Sequence, residues 1–292
     1  MDNNSLRLFI HLADTLHYGK TSKACNVSPS TLSRTIQRLE DNLGRQLFER
    51  DNRSVNLTET GIAFRNYARE ALSRWQTFQN SLDRQAAVLR GEISMYCTIT
   101  ASYGVLPDIL VRFREAYPEI HISLITGDSA GAIQNVIDGN ADFAVAALPD
   151  RLPDKLSFKP ITEISLRFVA PMLAWPYADA IAQDALPWDR IPMVVARKGM
   201  ARKRIDAWFA SQKIKPNIHA QVTGNESILA MVSLGFGIGV VPQLVLDKNM
   251  LNQDVQVMDT QPSLQSYAVG ICAQKRRLSN PLVKAFWDII EK

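Results

Sequence analysis

Cysteine and histidine are sparse in this chain, three and four respectively among 292 residues. Cys25, Cys97 and Cys272 are too widely spaced for a disulfide framework or a zinc-ligand pattern. His11, His17, His121 and His219 are equally scattered, so no metal, cofactor or histidine-dependent catalytic group is expected. The opening Met-Asp-Asn-Asn-Ser has neither the basic stretch nor the apolar core of a secretory signal. With the unpaired cysteines, this points to a reducing cytoplasm. No internal repeat or low-complexity segment appears. A single long uncharged run, the nineteen residues from Ile228 to Leu246, is long enough to span a bilayer. Gly235, Gly237, Gly239, Pro242 and Gln243 interrupt it, so it reads as a buried helix running into a buried strand, and no membrane partner is expected.

A balance of 46% hydrophobic and 21% charged residues is that of an ordinary soluble globular protein, and the length fits two or three domains. The net charge of +4 is unevenly spread. Residues 1–90 hold 13 Lys and Arg against 9 Asp and Glu, whereas 91–292 hold 20 of each sign. The excess positive charge sits where a polyanion partner would need it.

Within that basic third, Lys20 to Arg50 reads as two short helices about a polar turn. Lys20 to Cys25 turns Ala24 toward a core, and Asn26-Val27-Ser28 makes the turn, with Val27 plugged between the helices. Ser28 is placed as an N-cap and Pro29 as the first helical residue, where a missing N–H costs nothing. Leu32, Ile36, Leu39 and Leu43 recur at four, three and four residues, a buried stripe. The opposite face carries Ser30, Thr31, Arg34, Gln37 and Arg38, hydroxyls and guanidinium groups suited to base edges and phosphates in a major groove. A solvated helix face would carry the same residue types. Before this pair, Leu6, Phe9, Ile10, Leu12, Ala13 and Leu16 make a supporting amphipathic helix. After it, Leu47-Phe48 enters a hairpin with tip Arg50-Asp51-Asn52-Arg53 and return strand Val55 to Leu57.

The run VSPSTLSRTIQRLEDNLGRQLFER, followed by R-x-x-R-x-V-x-L-T-x-x-G from Arg50 to Gly61, resembles the winged helix-turn-helix of LysR-type transcriptional regulators. The resemblance implies an N-terminal all-α winged helix-turn-helix, a long linker helix, and an α/β effector domain. That last domain would have two Rossmann-like subdomains like those of periplasmic solute-binding proteins. It implies double-stranded operator DNA as partner, held by Ser28, Pro29, Ser30, Thr31, Ser33, Arg34, Arg38, Arg50 and Arg53. Arg53 would lie against the backbone or in the minor groove. RNA polymerase is a further partner consistent with such a regulator.

Thr58 can cap a helix running to about Leu89, in which Ala68, Leu72, Trp75, Gln79, Leu82, Ala86 and Leu89 form a coiled-coil-like seam. Packing on the chain's own second domain would also bury that seam. The family resemblance instead implies that Leu72, Trp75, Leu82 and Leu89 hold a homodimer, with dimers pairing further.

From Gly91 the pattern alternates strand and helix: strands at Ile93–Ile99, Ile120–Thr126 and Phe143–Ala147, with helices Tyr103–Tyr117 and Ser129–Asp138 between them. This is a βαβαβ run of the parallel, doubly wound type. A second set places strands near Arg167–Ala170, Met193–Ala196, Ala220–Val222 and Gly237–Val241. Helices near Met200–Ser211 and Asn225–Leu234 separate them, before a returning strand Tyr267–Ala273 and helix Pro281–Ile290. The implied domains are 1–58 for DNA (helix-turn-helix about 18–37), 59–90 for the linker helix and 91–292 for the effector. The subdomains would comprise 91–161 with 268–292, and 162–267. Open α/β sheets bind ligands beyond the carboxyl ends of their strands. The loops there are Thr100-Ala101-Ser102, Thr126-Gly127-Asp128-Ser129, Arg197-Lys198-Gly199 and Thr223-Gly224-Asn225. They offer Thr100, Ala101, Ser102, Thr126, Ser129, Arg197, Thr223 and Asn225 to a small carboxylate, with Asp128 opposing an anion directly beside it. Any one of these also suits an ordinary cap or loop. Gly235-Phe236-Gly237-Ile238-Gly239 follows a helix and precedes a strand, the wrong order for a dinucleotide fingerprint.

Within the family, HLADTLHYGKTSKACNVSPSTLSRTIQRLE, FERDNRSVNLT and ICAQKRRLSNPLVKAFW resemble regulators of branched-chain amino acid biosynthesis. That resemblance implies a hydroxylated 2-oxo or 2-hydroxy acid as effector, acetolactate or acetohydroxybutyrate. A LysR-type regulator of another operon, answering another organic acid, is the alternative. An enzyme or solute-binding protein would leave the first 90 residues unexplained, and an architectural DNA-coating protein would leave the neutral α/β domain idle.

Overall fold

The computed structural model describes residues 2–50, 55–82, 89–181, 186–248 and 253–290, and within these the side chains of Arg50, Gln76, Thr77, Asn80, Ser81 and Leu82 lie outside the description. Two compact units emerge, one of residues 1–91 with 138–140 and one of 92–137 with 141–292.

The first unit is three helices, a hairpin and a long helix: α1 (Asn3–Thr15), α2 (Tyr18–Ala24), α3 (Pro29–Leu43), β1 (Phe48–Arg50), β2 (Val55–Leu57) and α4 (Glu59–Leu82). Leu6, Phe9 and Leu12 of α1 pack on Leu32, Ile36 and Leu39 of α3, closed by Phe48 and by Phe64 of α4. The Phe9 ring lies 5.4 Å from Phe48 and 4.8 Å from Phe64. Three expected core positions are instead exposed. Ala24 faces solvent, and the buried face of α2 is Thr21 and Ser22. Polar side chains can go there because partners are at hand: Thr21 Oγ1 sits 2.6 Å from Thr15 Oγ1, and Ser22 donates to the Gly19 carbonyl at 3.2 Å. Leu16 caps α1 in a left-handed conformation with its side chain 39% exposed. Leu43 is 41% exposed, and Glu40 is buried in its stead. The Glu40 carboxylate accepts the Leu47 and Phe48 amides at 2.8 and 3.2 Å, tying the recognition helix to the hairpin. A stripe drawn through apolar residues alone misses this.

Thr58 does cap α4: its Oγ1 accepts the Gly61 amide at 2.9 Å and donates to the Gln46 carbonyl at 2.8 Å. Gly61 is required by proximity, since a Cβ there would stand 2.0 Å from the Leu47 carbonyl oxygen. The described part of α4 ends at Leu82, and residues 83–88 lie outside the description.

The second unit holds two five-stranded sheets. β3 (Gly91–Cys97), β4 (Ile120–Thr126), β5 (Phe143–Ala147), β6 (Leu156–Ile164) and β12 (Tyr267–Gln274) form one, in the order β4-β3-β5-β12-β6. β7 (Leu166–Pro171), β8 (Pro192–Ala196), β9 (Asn217–Val222), β10 (Ile238–Pro242) and β11 (Val255–Met258) form the other, in the order β11-β7-β10-β8-β9. Both are mixed rather than purely parallel. β3 pairs parallel with β5, but β12 runs antiparallel to β5 and β6. β8 pairs parallel with β9 and β10, but β7 runs antiparallel to β10 and β11. β6 escaped the sequence reading because Pro160 lies inside it. It is an edge strand, where a missing donor is tolerated, and the register slips beside Val269 and Gly270 opposite that proline.

The helices are α5 (Ile99–Gly104), α6 (Pro107–Ala116), α7 (Ala132–Ile137), α8 (Ala178–Ile181), α9 (Met200–Ser211), α10 (Asn225–Ser233), α11 (Gln243–Lys248) and α12 (Pro281–Ile289). The single helix expected over Tyr103–Tyr117 is thus two, because Pro107 cannot sit in a helix interior and instead opens α6. Likewise, Ser129–Gly131 is a 3-10 turn ahead of α7. No helix among the described residues is long and apolar enough to cross a membrane. The uncharged run at 228–246 is divided among α10, β10 and α11. Gly237 (φ 139°) serves packing there, for a Cβ would come within 2.1 Å of the Pro192 carbonyl oxygen.

Candidate DNA-binding face and ligand cavity

Helix α3 opens as its sequence dictates. Ser28 Oγ accepts the Thr31 amide at 3.1 Å, with Pro29 in the first turn. The same Oγ lies 2.9 Å from Ser30 Oγ and 2.8 Å from Thr31 Oγ1, a small hydroxyl cluster at the positive end of the helix. Ser28, Pro29, Ser30, Thr31, Arg34 and Arg38 are exposed, and Ser33 is half-buried. Arg34 and Arg38, four residues apart, project from one side of the helix. Neither forms an ion pair or hydrogen bond among the described residues, which leaves both guanidinium groups available to a polyanion. The hairpin pairs Phe48 with Leu57 and Arg50 with Val55. The Arg50 side chain and all of Arg53 fall outside the described residues.

On α4 the expected seam divides. Leu72 is half-buried against the core of its own unit, whereas Trp75 is 44% exposed. Phe78, not singled out in the sequence, is 52% exposed, its ring 5.9 Å from that of Trp75. Leu82's side chain is not described, and Leu89 is half-buried beyond the described helix.

In the second unit a cavity of about 570 Å³ opens where the carboxyl ends of β3, β4, β8 and β9 meet the helices that follow them. Thr100, Ala101, Thr126, Ser129, Arg197, Thr223 and Asn225 all line it. Ser102 does not; its hydroxyl donates to the Ile99 carbonyl at 2.7 Å. Thr100, Ala101 and Ser102 prove to be the first turn of α5 rather than a loop, capped by Thr98, whose Oγ1 accepts the Ala101 amide at 3.1 Å.

Charge in the cavity is mixed. Lys198 Nζ stands 4.0 Å from Asp128 Oδ2, and Lys203 reaches Asp150 at 3.1 Å. Arg197 is exposed and has no side-chain partner among the described residues. Sequence reasoning overlooked Glu226, which also lines the cavity. Its Oε1 accepts from the Thr100 hydroxyl at 2.6 Å and from the Tyr103 hydroxyl at 3.1 Å. Burial first, and then the Glu226 charge, push the Tyr103 phenol above its ordinary pKa. Asn225 Nδ2 donates to Thr100 Oγ1 at 3.3 Å. In the sequence Glu226 looks like a carboxylate stabilising the N-terminus of α10, and nothing local links it to a residue 126 positions away. Tyr267 is a second residue not foreseen, its phenol pushed up to about 12 by burial. Burial also raises the Cys97 thiol, one residue before the cap of α5, to about 11. A protonated, buried thiol is a poor nucleophile. Among the described residues no three His, Cys, Asp or Glu side chains gather in a way that could hold a metal ion. What the cavity offers is hydroxyl, amide, cationic and carboxylate groups suited to binding a polar ligand.

Residues 3–62 match the model of bacterial regulatory helix-turn-helix proteins of the lysR family, and residues 86–292 match the LysR substrate binding domain. The chain is 41% identical to the HTH-type transcriptional activator IlvY of Salmonella typhimurium over 99% of each chain. It is also 41% identical to the activator IlvY of Haemophilus influenzae over 100% of both. Among solved structures it is similar in fold to full-length CbnR complexed with its target DNA, at a TM-score of 0.65 and 20% identity, covering 100% of this chain and 99% of that one. From the capped recognition helix to the α/β domain with its cavity, this chain belongs to the LysR family of DNA-binding transcriptional regulators.

Proposed function

We propose that the chain regulates a branched-chain amino acid biosynthesis gene, activating it in response to acetolactate or acetohydroxybutyrate. The observation that carries this reading is the 41% identity to IlvY activators across essentially the whole length of both chains. The cavity supports the chemistry: Arg197 and Lys198 suit a carboxylate, while Thr126, Ser129, Thr223 and Asn225 suit a hydroxyl and a carbonyl. Residues 1–58 bind operator DNA through Ser28, Pro29, Ser30, Thr31, Ser33, Arg34, Arg38, Arg50 and Arg53. The 59–90 segment pairs two copies, and dimers pair in turn. Residues 91–292 bind the effector, as one subdomain of 91–161 with 268–292 and another of 162–267. The regulator acts in the cytoplasm, with RNA polymerase as its further partner. Ligand binding favours one relative orientation of the subdomains, a population shift without catalysis, so the acid is recovered unaltered.

Calorimetric titration with acetolactate tests the ligand and its site together. Wild type is expected to bind. Arg197→Ala and Lys198→Ala are each expected to bind about ten-fold more weakly or worse, since a hydrogen bond to a charged group contributes about 1.5–3 kcal/mol. Absence of binding to wild type would rule out the ligand, and equal binding by both variants would rule out the cavity.

A further inference from the structure

The cavity is polarised, and Glu226 makes it so. Its carboxylate lines the cavity and forms no ion pair among the described residues, whereas Asp128 has Lys198 at 4.0 Å. Oε1 is occupied by the Thr100 and Tyr103 hydroxyls at 2.6 and 3.1 Å. Oε2 makes no hydrogen bond among the described residues, and the nearby Gly224 has no side chain to cover it; a Cβ there would lie 3.6 Å away. Thr100, only 4% exposed, spends its single proton on Glu226, and a lone pair on its oxygen takes the Asn225 amide at 3.3 Å. It has no proton left for a ligand carboxylate. An ionised carboxylate only accepts hydrogen bonds and repels other anions. This corner therefore suits a ligand that donates, and the cationic corner at Arg197 and Lys198 suits a ligand's carboxylate.

We infer that Glu226 is the specificity-determining residue of the cavity: its Oε2 accepts the effector's hydroxyl, and its charge excludes acids bearing a second carboxylate. This rests on the hydroxy-acid reading above and narrows it to monocarboxylates with a hydroxyl donor. Three acids separate the contributions. Acetolactate has both groups, 2-methyl-3-oxobutanoate is the same acid without the hydroxyl, and citramalate carries a carboxymethyl arm in place of the acetyl group. Each is titrated calorimetrically into the full-length wild type, Glu226→Gln and Glu226→Asp. Wild type is expected to favour acetolactate over the other two by about ten-fold or more. Glu226→Gln keeps the shape without the charge and, its one oxygen being taken by the Thr100 and Tyr103 hydroxyls, turns an amide donor toward the ligand, so citramalate should gain about ten-fold and the preference should collapse. Glu226→Asp keeps the charge on a shorter arm, so it should still reject citramalate while holding acetolactate more weakly. That contrast distinguishes charge from a general disturbance of the fold. A preference unchanged in Glu226→Gln, or wild type binding all three acids equally, overturns the role of Glu226 and leaves the hydroxy-acid reading standing. Wild type binding none of them overturns that reading and this inference with it.

Discussion

Arg34→Ala is expected to abolish most of the preference for operator over random DNA while leaving the protein folded. The residue lies in the second turn of a helix whose N-terminus is fixed by Ser28, and its guanidinium is exposed and without a partner among the described residues. Removing it therefore takes little from the fold. An arginine paired bidentately with a base edge contributes about 1–3 kcal/mol of discrimination, or about 5- to 150-fold. In a two-fold dimer the loss occurs in both half-sites, so the effects multiply. Arg53→Ala is expected to differ in kind, weakening binding to every sequence and flattening the dependence on salt, because phosphate contacts carry affinity without sequence information. Competition binding with operator and random duplexes at two salt concentrations checks both. An unchanged operator preference in Arg34→Ala would mean that α3 presents a different face to the DNA.

The second large effect is expected at the exposed end of α4. Trp75 and Phe78 form a half-exposed aromatic pair on a helix whose preceding turns pack Phe64, Ala68 and Leu72 on the core of their own unit. Water gives such a pair no stabilisation, and a second copy about a dyad would cover both rings and present two more. Aromatic residues at an interface centre commonly contribute 2 kcal/mol or more each, so Trp75→Glu with Phe78→Glu is expected to raise the dimer dissociation constant by at least about a hundred-fold. A monomer also forfeits the second half-site of a palindromic operator, so specific binding should fall with it. Sedimentation velocity across a concentration series reads the effect directly. Leu72 makes a poorer probe than its place in the seam suggests, because it packs on the core of its own unit and a charge there would disturb the fold. If the Trp75, Phe78 variant sediments as wild type does, the interface lies elsewhere.

Local chemistry made much of this molecule legible. The α3 start was readable because cap, proline and apolar period all sit within fifteen residues and reinforce one another. β4, β5 and α9 were readable for a similar reason, as strong single-period runs between clear breaks. What escaped depends on residues remote in sequence or on polar burial. Glu40 displaced Leu43 from the buried side because two hairpin amides needed an acceptor. Thr21 and Ser22 took the place expected of Ala24 because Thr15 and Gly19 could satisfy their hydroxyls. β12, the last strand in the sequence, turned a parallel sheet into a mixed one by inserting between β5 and β6. In the cavity, the residues at strand ends were foreseeable from the general rule for open α/β sheets. The Thr100–Glu226 pair was not, since only the folded chain brings those positions together.

On this reading one molecule both recognises a DNA site and responds to a small acid. DNase footprinting of the full-length protein on the promoter region of a branched-chain biosynthetic gene, with and without acetolactate, tests it most directly. The expected result is protection confined to a roughly palindromic site, with the acid changing its extent or its cleavage pattern and being recovered unchanged. Even protection along the whole duplex, or a confined footprint indifferent to acetolactate and acetohydroxybutyrate alike, would contradict it.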